Sequence, residues 1–180
     1  MLVLALCLLP VLSSATSSVM PTPAIAGGAR TLPLFHIGRS NSKNRVHYAI
    51  RVDAKCRPRG EDPIHIYWRM LEKGPNETEG LNVVERLRAY GIDIEKRFEK
   101  GVNFRFVAYR ERLARVRTSM KDGKCRAETW APIAGAPAVV DRVFVQVKER
   151  RWWQFPEIPW VDVFAHRGNG KKVKERVIPP

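Results

Sequence analysis

From Leu34 onward, apolar and polar residues alternate over most of the chain, and this period of two predicts strands rather than helices. Val46, Tyr48, Ile50, Val52 and Ala54 share one face, Cys56 continues it, and His47, Arg51 and Asp53 lie on the other. The stretch Leu34 to Arg39 precedes this strand, and Ser40-Asn41-Ser42-Lys43 supplies a polar turn between them. A loop over those residues pairs Arg39 with Asn44, Ile37 with Val46 and Phe35 with Tyr48, so that one face stays apolar. The same register sets His36 against His47 on the outer face. Pro63 to Leu71 is a third strand, with Ile64, Ile66, Trp68 and Met70 in alternation.

One segment changes period. Asn82 is an N-cap residue, Glu85 its capping-box partner and Gly91 a terminator, so a helix of about two turns is predicted between them. Val83, Val84, Leu87 and Tyr90 form its apolar stripe, expected to be buried against the sheet.

The second half reads as strands again: Phe104 to Tyr109, Arg112 to Met120, Lys124 to Ile133, Val139 to Lys148, Pro159 to Ala165 and Lys172 to Ile178. Asp122-Gly123 is a type I′ hairpin signal. It sets Met120 opposite Cys125, Thr118 opposite Ala127 and Val116 opposite Thr129 on one face. On the other, Arg117 meets Glu128 and Arg115 meets Trp130. The inward set contains Cys125, as the earlier strand turned Cys56 inward, which makes the two a candidate disulfide. About nine strands in meander order with one short helix predict an all-β, mainly antiparallel fold, a barrel-like sheet or a β-sandwich.

Leu2 to Leu12 is an apolar run too short to span a bilayer, which takes about 20 residues. Small-residue cleavage candidates follow it, after Ala15 or Ala26, so residues 1–26 read as a signal peptide. Residues 27–33 are expected to be a flexible lead, and 34–180 a single domain. Export, to the periplasm or beyond the cell, removes Cys7 and places Cys56 and Cys125 in an oxidising compartment. The formal net charge of +14 favours anionic partners: anionic lipid, acidic polysaccharide or nucleic acid. Export and the lack of a recognisable module argue against nucleic acid.

The residues Phe35-x-Ile37-x-Arg39-Ser40-Asn41-x-x-Asn44, with Tyr48 and Asp53, resemble the opening of an uncharacterised bacterial family, domain of unknown function 4833. The resemblance continues through Tyr67-Trp68, Glu85 and Ala89-Tyr90-Gly91, and ends with Asp162-x-Phe164 and Glu175-Arg176. It implies one exported domain and brings no activity with it.

Standard catalytic signatures, from a Gly-x-Ser-x-Gly elbow to a phosphate-binding glycine loop, are not found. His36 and His47 face each other, but a metal site needs at least one further ligand and the sequence indicates none, so no cofactor or metal is expected. Arg39, Asn41 and Asn44 crowd hydrogen-bonding groups into one hairpin end. They form a candidate binding site with Tyr67 and Glu85, or simply serve the turn. Glu85 is expected to pair with Arg39. Arg150 to Trp160 joins two strands and carries Trp152, Trp153 and Trp160, aromatics suited to an interface or to plugging one end of the sheet. The expected function is a non-catalytic binding or structural protein of the cell envelope that meets an anionic or saccharide surface. The alternative is a small envelope hydrolase, drawing its carboxylates from Asp53, Glu85, Asp162 or Glu175. Carboxylates each held by an arginine would favour binding; a pair about 5–10 Å apart across a cleft would favour hydrolysis.

Overall fold

The computed structural model describes residues 29–151 and 156–179. The signal-peptide reading and the tryptophans Trp152 and Trp153 fall outside them.

The first hairpin is longer than its pattern predicts. β1 (Arg30–Arg39) pairs antiparallel with β2 (Ser42–Val52), so strand pairing begins at Arg30 and most of the expected flexible lead is part of the sheet. The pairing steps past Leu34 in a bulge just after Pro33, where the missing N–H would interrupt a regular ladder. Phe35 faces Tyr48, His36 faces His47 and Ile37 faces Val46, as the alternation requires. A second irregularity at Gly38/Arg39 sets Arg39 against Ser42 rather than Asn44, leaving Ser40-Asn41 as a two-residue turn.

β3 (Ile64–Arg69) and the short β4 (Thr78–Gly80) extend this wing. After the helix, β5 (Ile92–Phe98), β6 (Gly101–Phe106), β7 (Tyr109–Lys121), β8 (Lys124–Ile133) and β9 (Ala136–Lys148) form a meander. Asp122 and Gly123 both have positive φ, 52° and 69°, and the hairpin they turn has the predicted register throughout. β10 (Glu157–His166) and β11 (Lys172–Val177) complete the chain.

The sheet has 11 strands, nine of them on one path, β4-β3-β2-β1-β9-β8-β7-β6-β5, with β10 and β11 branching from β9. Its meander order is broken where β1 lies parallel to β9, His36 beside Arg142 and Arg39 beside Val145. β8 and β1 pair with successive parts of β9, so the two wings diverge there and curl toward each other as a half-barrel. Between them Phe35 stacks on Tyr48 at 4.4 Å, and Phe106 meets both rings edge-on. Val46, Ile50, Val52, Val102, Phe104 and Val116 fill the same core. The Cys56–Cys125 disulfide ties the loop after β2 to β8 across it. Ala54, expected on the inner face, is exposed, because the chain turns after Val52 and only Cys56 swings back.

The helix is α1 (Val83–Glu85) running into a π-helical turn, Arg86–Tyr90. Asn82 caps it, and its reciprocal bonds with Glu85 form the predicted capping box. Its apolar stripe points the wrong way for the sequence reading: Val83 is 72% exposed, Val84 61% and Leu87 65%. The core beneath is already filled by the aromatic cluster, and Tyr90 alone packs against it. Tyr48 Oη donates to the Tyr90 carbonyl at 2.7 Å and anchors the end of the turn. A Cβ on Gly91 would lie 1.8 Å from the Arg86 carbonyl, so only glycine allows this close return.

Candidate anion-binding surface

The Arg39 hairpin end belongs to two clefts, one on each side of the sheet. The inner cleft, about 190 Å³, is lined by Arg39, Asn44, Trp68, Met70, Glu79 and Glu85, among others. Three of the residues expected to converge, Arg39, Asn44 and Glu85, thus share one wall. Tyr67 does not, because alternation sends it to the opposite face from Trp68.

The polar groups of this inner cleft are largely spent on the fold. Asn44 clasps Glu72: its carboxamide nitrogen donates to Oε2 at 3.3 Å, and its oxygen accepts from the Glu72 N–H at 3.1 Å. Glu79 pairs with Lys73. Glu85 Oε2 accepts from Trp68 Nε1 at 3.1 Å and from the Asn82 N–H at 3.0 Å. Glu85 makes no ion pair with Arg39, contrary to expectation: the carboxylate is turned to the cap and the indole, which share its Oε2. The Arg39 guanidinium lies 4.7 Å over the Trp68 ring instead, with its Nε buried and without a hydrogen-bond partner.

The turn is also largely structural. Ser40 clamps it to β9: its N–H donates to the Val145 carbonyl, its hydroxyl to the Val147 carbonyl, and that hydroxyl accepts from the Val147 N–H. Asn41 donates to Glu149 at 3.3 Å. This contact brings the start of the aromatic connector beside the Arg39 turn. Of its aromatics, the described Trp160 is half-buried under Arg176, whose guanidinium lies 4.8 Å over the ring.

The outer cleft is different in kind. It has a volume of about 500 Å³ and is lined by His36, Arg39, Ser42, Lys43, Arg45 and Arg142, with Gly38, Leu71, Val143 and Phe144 between them. No acidic residue lines it, and none of Lys43, Arg45 and Arg142 forms an ion pair among the described residues. Sequence reasoning missed this groove, because Arg142 reaches it only through the parallel β1–β9 pairing.

A row of rings continues from the groove across the outer face. His36 stacks on His47 with centroids 5.4 Å apart, His47 on Tyr67 at 5.7 Å and His65 on Tyr67 at 5.2 Å. Burial and the neighbouring Arg45 and Arg142 lower the pKa of His36. Burial, His36, Arg69 and Arg45 bring His47 down to about 4. Burial, Arg51 and Arg86 lower His65. The imidazoles are therefore neutral at pH 7, and the positive field around them comes from arginine. No group of three or more metal-ligating side chains occurs among the described residues.

Of the four carboxylates of the hydrolase alternative, Glu85 lies in the inner cleft, bound to the cap and the indole, and the other three lie outside both clefts. Asp53 accepts from the Arg57 N–H and side chain and from the Lys55 N–H, which lower its pKa. Asp162 is bound by Arg176 and Lys174 and brought down to about 2. Burial would raise Glu175, but Arg112 and the Ala134 N–H outweigh it and the pKa is lowered. A general acid needs the opposite shift.

The model of one family, described as "Domain of unknown function (DUF4833)", matches residues 35–176. No curated protein and no solved structure matches the chain at a significant level.

Proposed function

Because this chain belongs to that family, whose description carries no activity, we propose its function from the surface alone: a non-catalytic binding protein of the cell envelope that holds an anionic surface against its outer groove. The observation that carries this reading is the concentration of Lys43, Arg45 and Arg142 around one cleft with no acidic residue on its wall. Several basic side chains elsewhere are matched, as Arg112 is by Glu175 and Arg176 by Asp162. Unmatched cations in a concave site focus the field that gathers an anionic partner. The disulfide supports an oxidising compartment and hence export. Asp53, Asp162 and Glu175 are each held by an arginine, which supports binding over hydrolysis.

The test compares wild type, a Lys43→Ala/Arg142→Ala variant and a Lys171→Ala/Lys172→Ala control of equal charge, using a soluble carboxylated polysaccharide and anionic vesicles. The groove variant should lose roughly tenfold or more in affinity, at about 1 kcal/mol per basic residue near a charged surface. The control should bind close to wild type. Equal losses in both would mean that net charge alone is read, and the groove would have no special role.

A further inference from the structure

Strand register sets the basic groove and the ring row in one file across the outer face. Tyr67 of β3 stands opposite His47 of β2, His47 opposite His36 of β1, His36 beside Arg142 of β9, and Arg142 opposite Phe164 of β10. Each strand contributes one side chain at the same level. With strands about 4.8 Å apart, the row runs about 19 Å at right angles to them. Each step is close to the length of one sugar unit in an extended polysaccharide. On β11 the file ends at Lys174, whose ammonium is spent on Asp162 at 2.9 Å.

The next level along the same strands runs Arg69, Arg45, Gly38, Phe144. Gly38 supplies no side chain, so the groove has a hollow there, with Arg45 on one side and Arg142 diagonally across. Arg142 is held in place by the face of Phe164, 3.9 Å from its guanidinium, which positions the charge without neutralising it.

The chemistry of the row separates the candidate polyanions. A single-stranded nucleic acid stacks its bases on open ring faces. Here the faces are closed, His36 on His47, His47 on Tyr67 and Phe164 under Arg142, so the row offers ring edges instead. The imidazoles of His36 and His47, neutral at pH 7, each carry one donor and one acceptor. Ionised phosphate and carboxylate oxygens only accept, whereas a sugar hydroxyl matches both, and a carboxylate on the same chain matches the arginines. A bilayer is flat on this scale and gains nothing from the hollow.

We propose that a linear acidic polysaccharide crosses the strands along this row, its hydroxyls bonded to the ring edges and one carboxylate seated over Gly38 beside Arg45 and Arg142. This rests on the anionic-surface reading above and names the polymer which that surface presents.

The test measures binding of the full-length protein to a uronate disaccharide, a uronate hexasaccharide, a single-stranded oligonucleotide and, as a flat polyanion, anionic vesicles. Wild type should bind the hexasaccharide roughly tenfold or more tightly than the disaccharide, which is too short to span the row. Gly38→Val fills the hollow without changing charge, and a Cβ there meets only Phe144, at 4.0 Å, so the fold should hold. It should weaken binding of both saccharides by about tenfold and leave vesicle binding unchanged. Tyr67→Phe keeps the ring and removes a hydroxyl at the far end of the row. It should weaken the hexasaccharide by about fivefold and spare the disaccharide. Should Gly38→Val melt lower than wild type, Tyr67→Phe and the length dependence decide alone. If both variants bind the hexasaccharide like wild type while Lys43→Ala/Arg142→Ala does not, the row is wrong and the anionic-surface reading stands. If that groove variant also binds normally, both readings fail. An oligonucleotide bound as tightly as the hexasaccharide, or a Gly38→Val loss equal for vesicles and saccharides, would overturn the polysaccharide in favour of a nucleic acid or a lipid head group.

Discussion

Arg45 stands directly opposite Arg69 on β2 and β3, two like charges at one cross-strand position. Such a pair is unfavourable by a few tenths to about 1 kcal/mol. Arg69 is drawn aside by two bonds to the Pro75 carbonyl, at 3.0 and 2.8 Å, and Arg45 is left facing the groove. Arg45→Gln should therefore raise the melting temperature by roughly 1–3 °C and weaken binding to anionic vesicles. A variant that melts lower, or binds as tightly as wild type, would show that Arg45 serves the fold.

The histidine row makes stability depend on pH with a definite sign. His36, His47 and His65 all have folded pKa values below the unfolded value near 6.5, His47 about 4. Below pH 6.5 the unfolded chain binds more protons, so stability falls as pH drops toward 4 and is unaffected by these groups above 6.5. His47→Gln should flatten a plot of melting temperature against pH between 6.5 and 4; an unchanged slope would assign the dependence to other groups. A bound anion favours the protonated rings, so vesicle binding should tighten over the same interval.

The disulfide joins residues 69 apart in sequence and spans the two wings. In the chain-entropy model its loss costs about 4 kcal/mol. A Cys56→Ala/Cys125→Ala variant should unfold at markedly lower denaturant concentration. Intact mass should rise by two hydrogens on reduction of wild type; no rise would mean free thiols.

Asp162 is buried at 5% exposure between Arg176 and Lys174, and its carboxylate stays ionised to about pH 2. Its contribution is therefore complete above the unfolded value near 3.8 and is lost as pH falls toward 2. Asp162→Asn should cost about 1–3 kcal/mol at pH 7, with the loss much reduced at pH 2. Loss of vesicle binding without loss of stability would move Asp162 into the binding surface.

Local pattern fixes what local pattern can. The registers at Phe35–Tyr48 and Met120–Cys125 follow from alternation plus a turn signal, and both are as predicted. β5 escaped because Glu95, Lys96 and Arg97 follow one another and the Ile94/Lys96 bulge breaks its period. β4 is three exposed residues with no pattern to find. The β1–β9 pairing joins residues about a hundred apart, and no spacing encodes it, so the groove it builds could not be read in advance. Helical periodicity predicts that Val83, Val84 and Leu87 share a face, but not whether that face meets protein or solvent. Arg39 and Glu85 come together at one cleft as expected, yet the indole of Trp68 comes between their charges.

The most direct measurement is an NMR titration of the ¹⁵N-labelled protein with anionic bicelles, following backbone amides, arginine Nε–H groups and imidazole resonances. The largest changes should fall on Lys43, Arg45, Arg142 and His36, with the His36 and His47 pKa values rising on binding. Changes centred on Lys171–Lys174 instead, or histidine pKa values that do not move while the protein is bound, would contradict the assignment of the outer face as the binding surface.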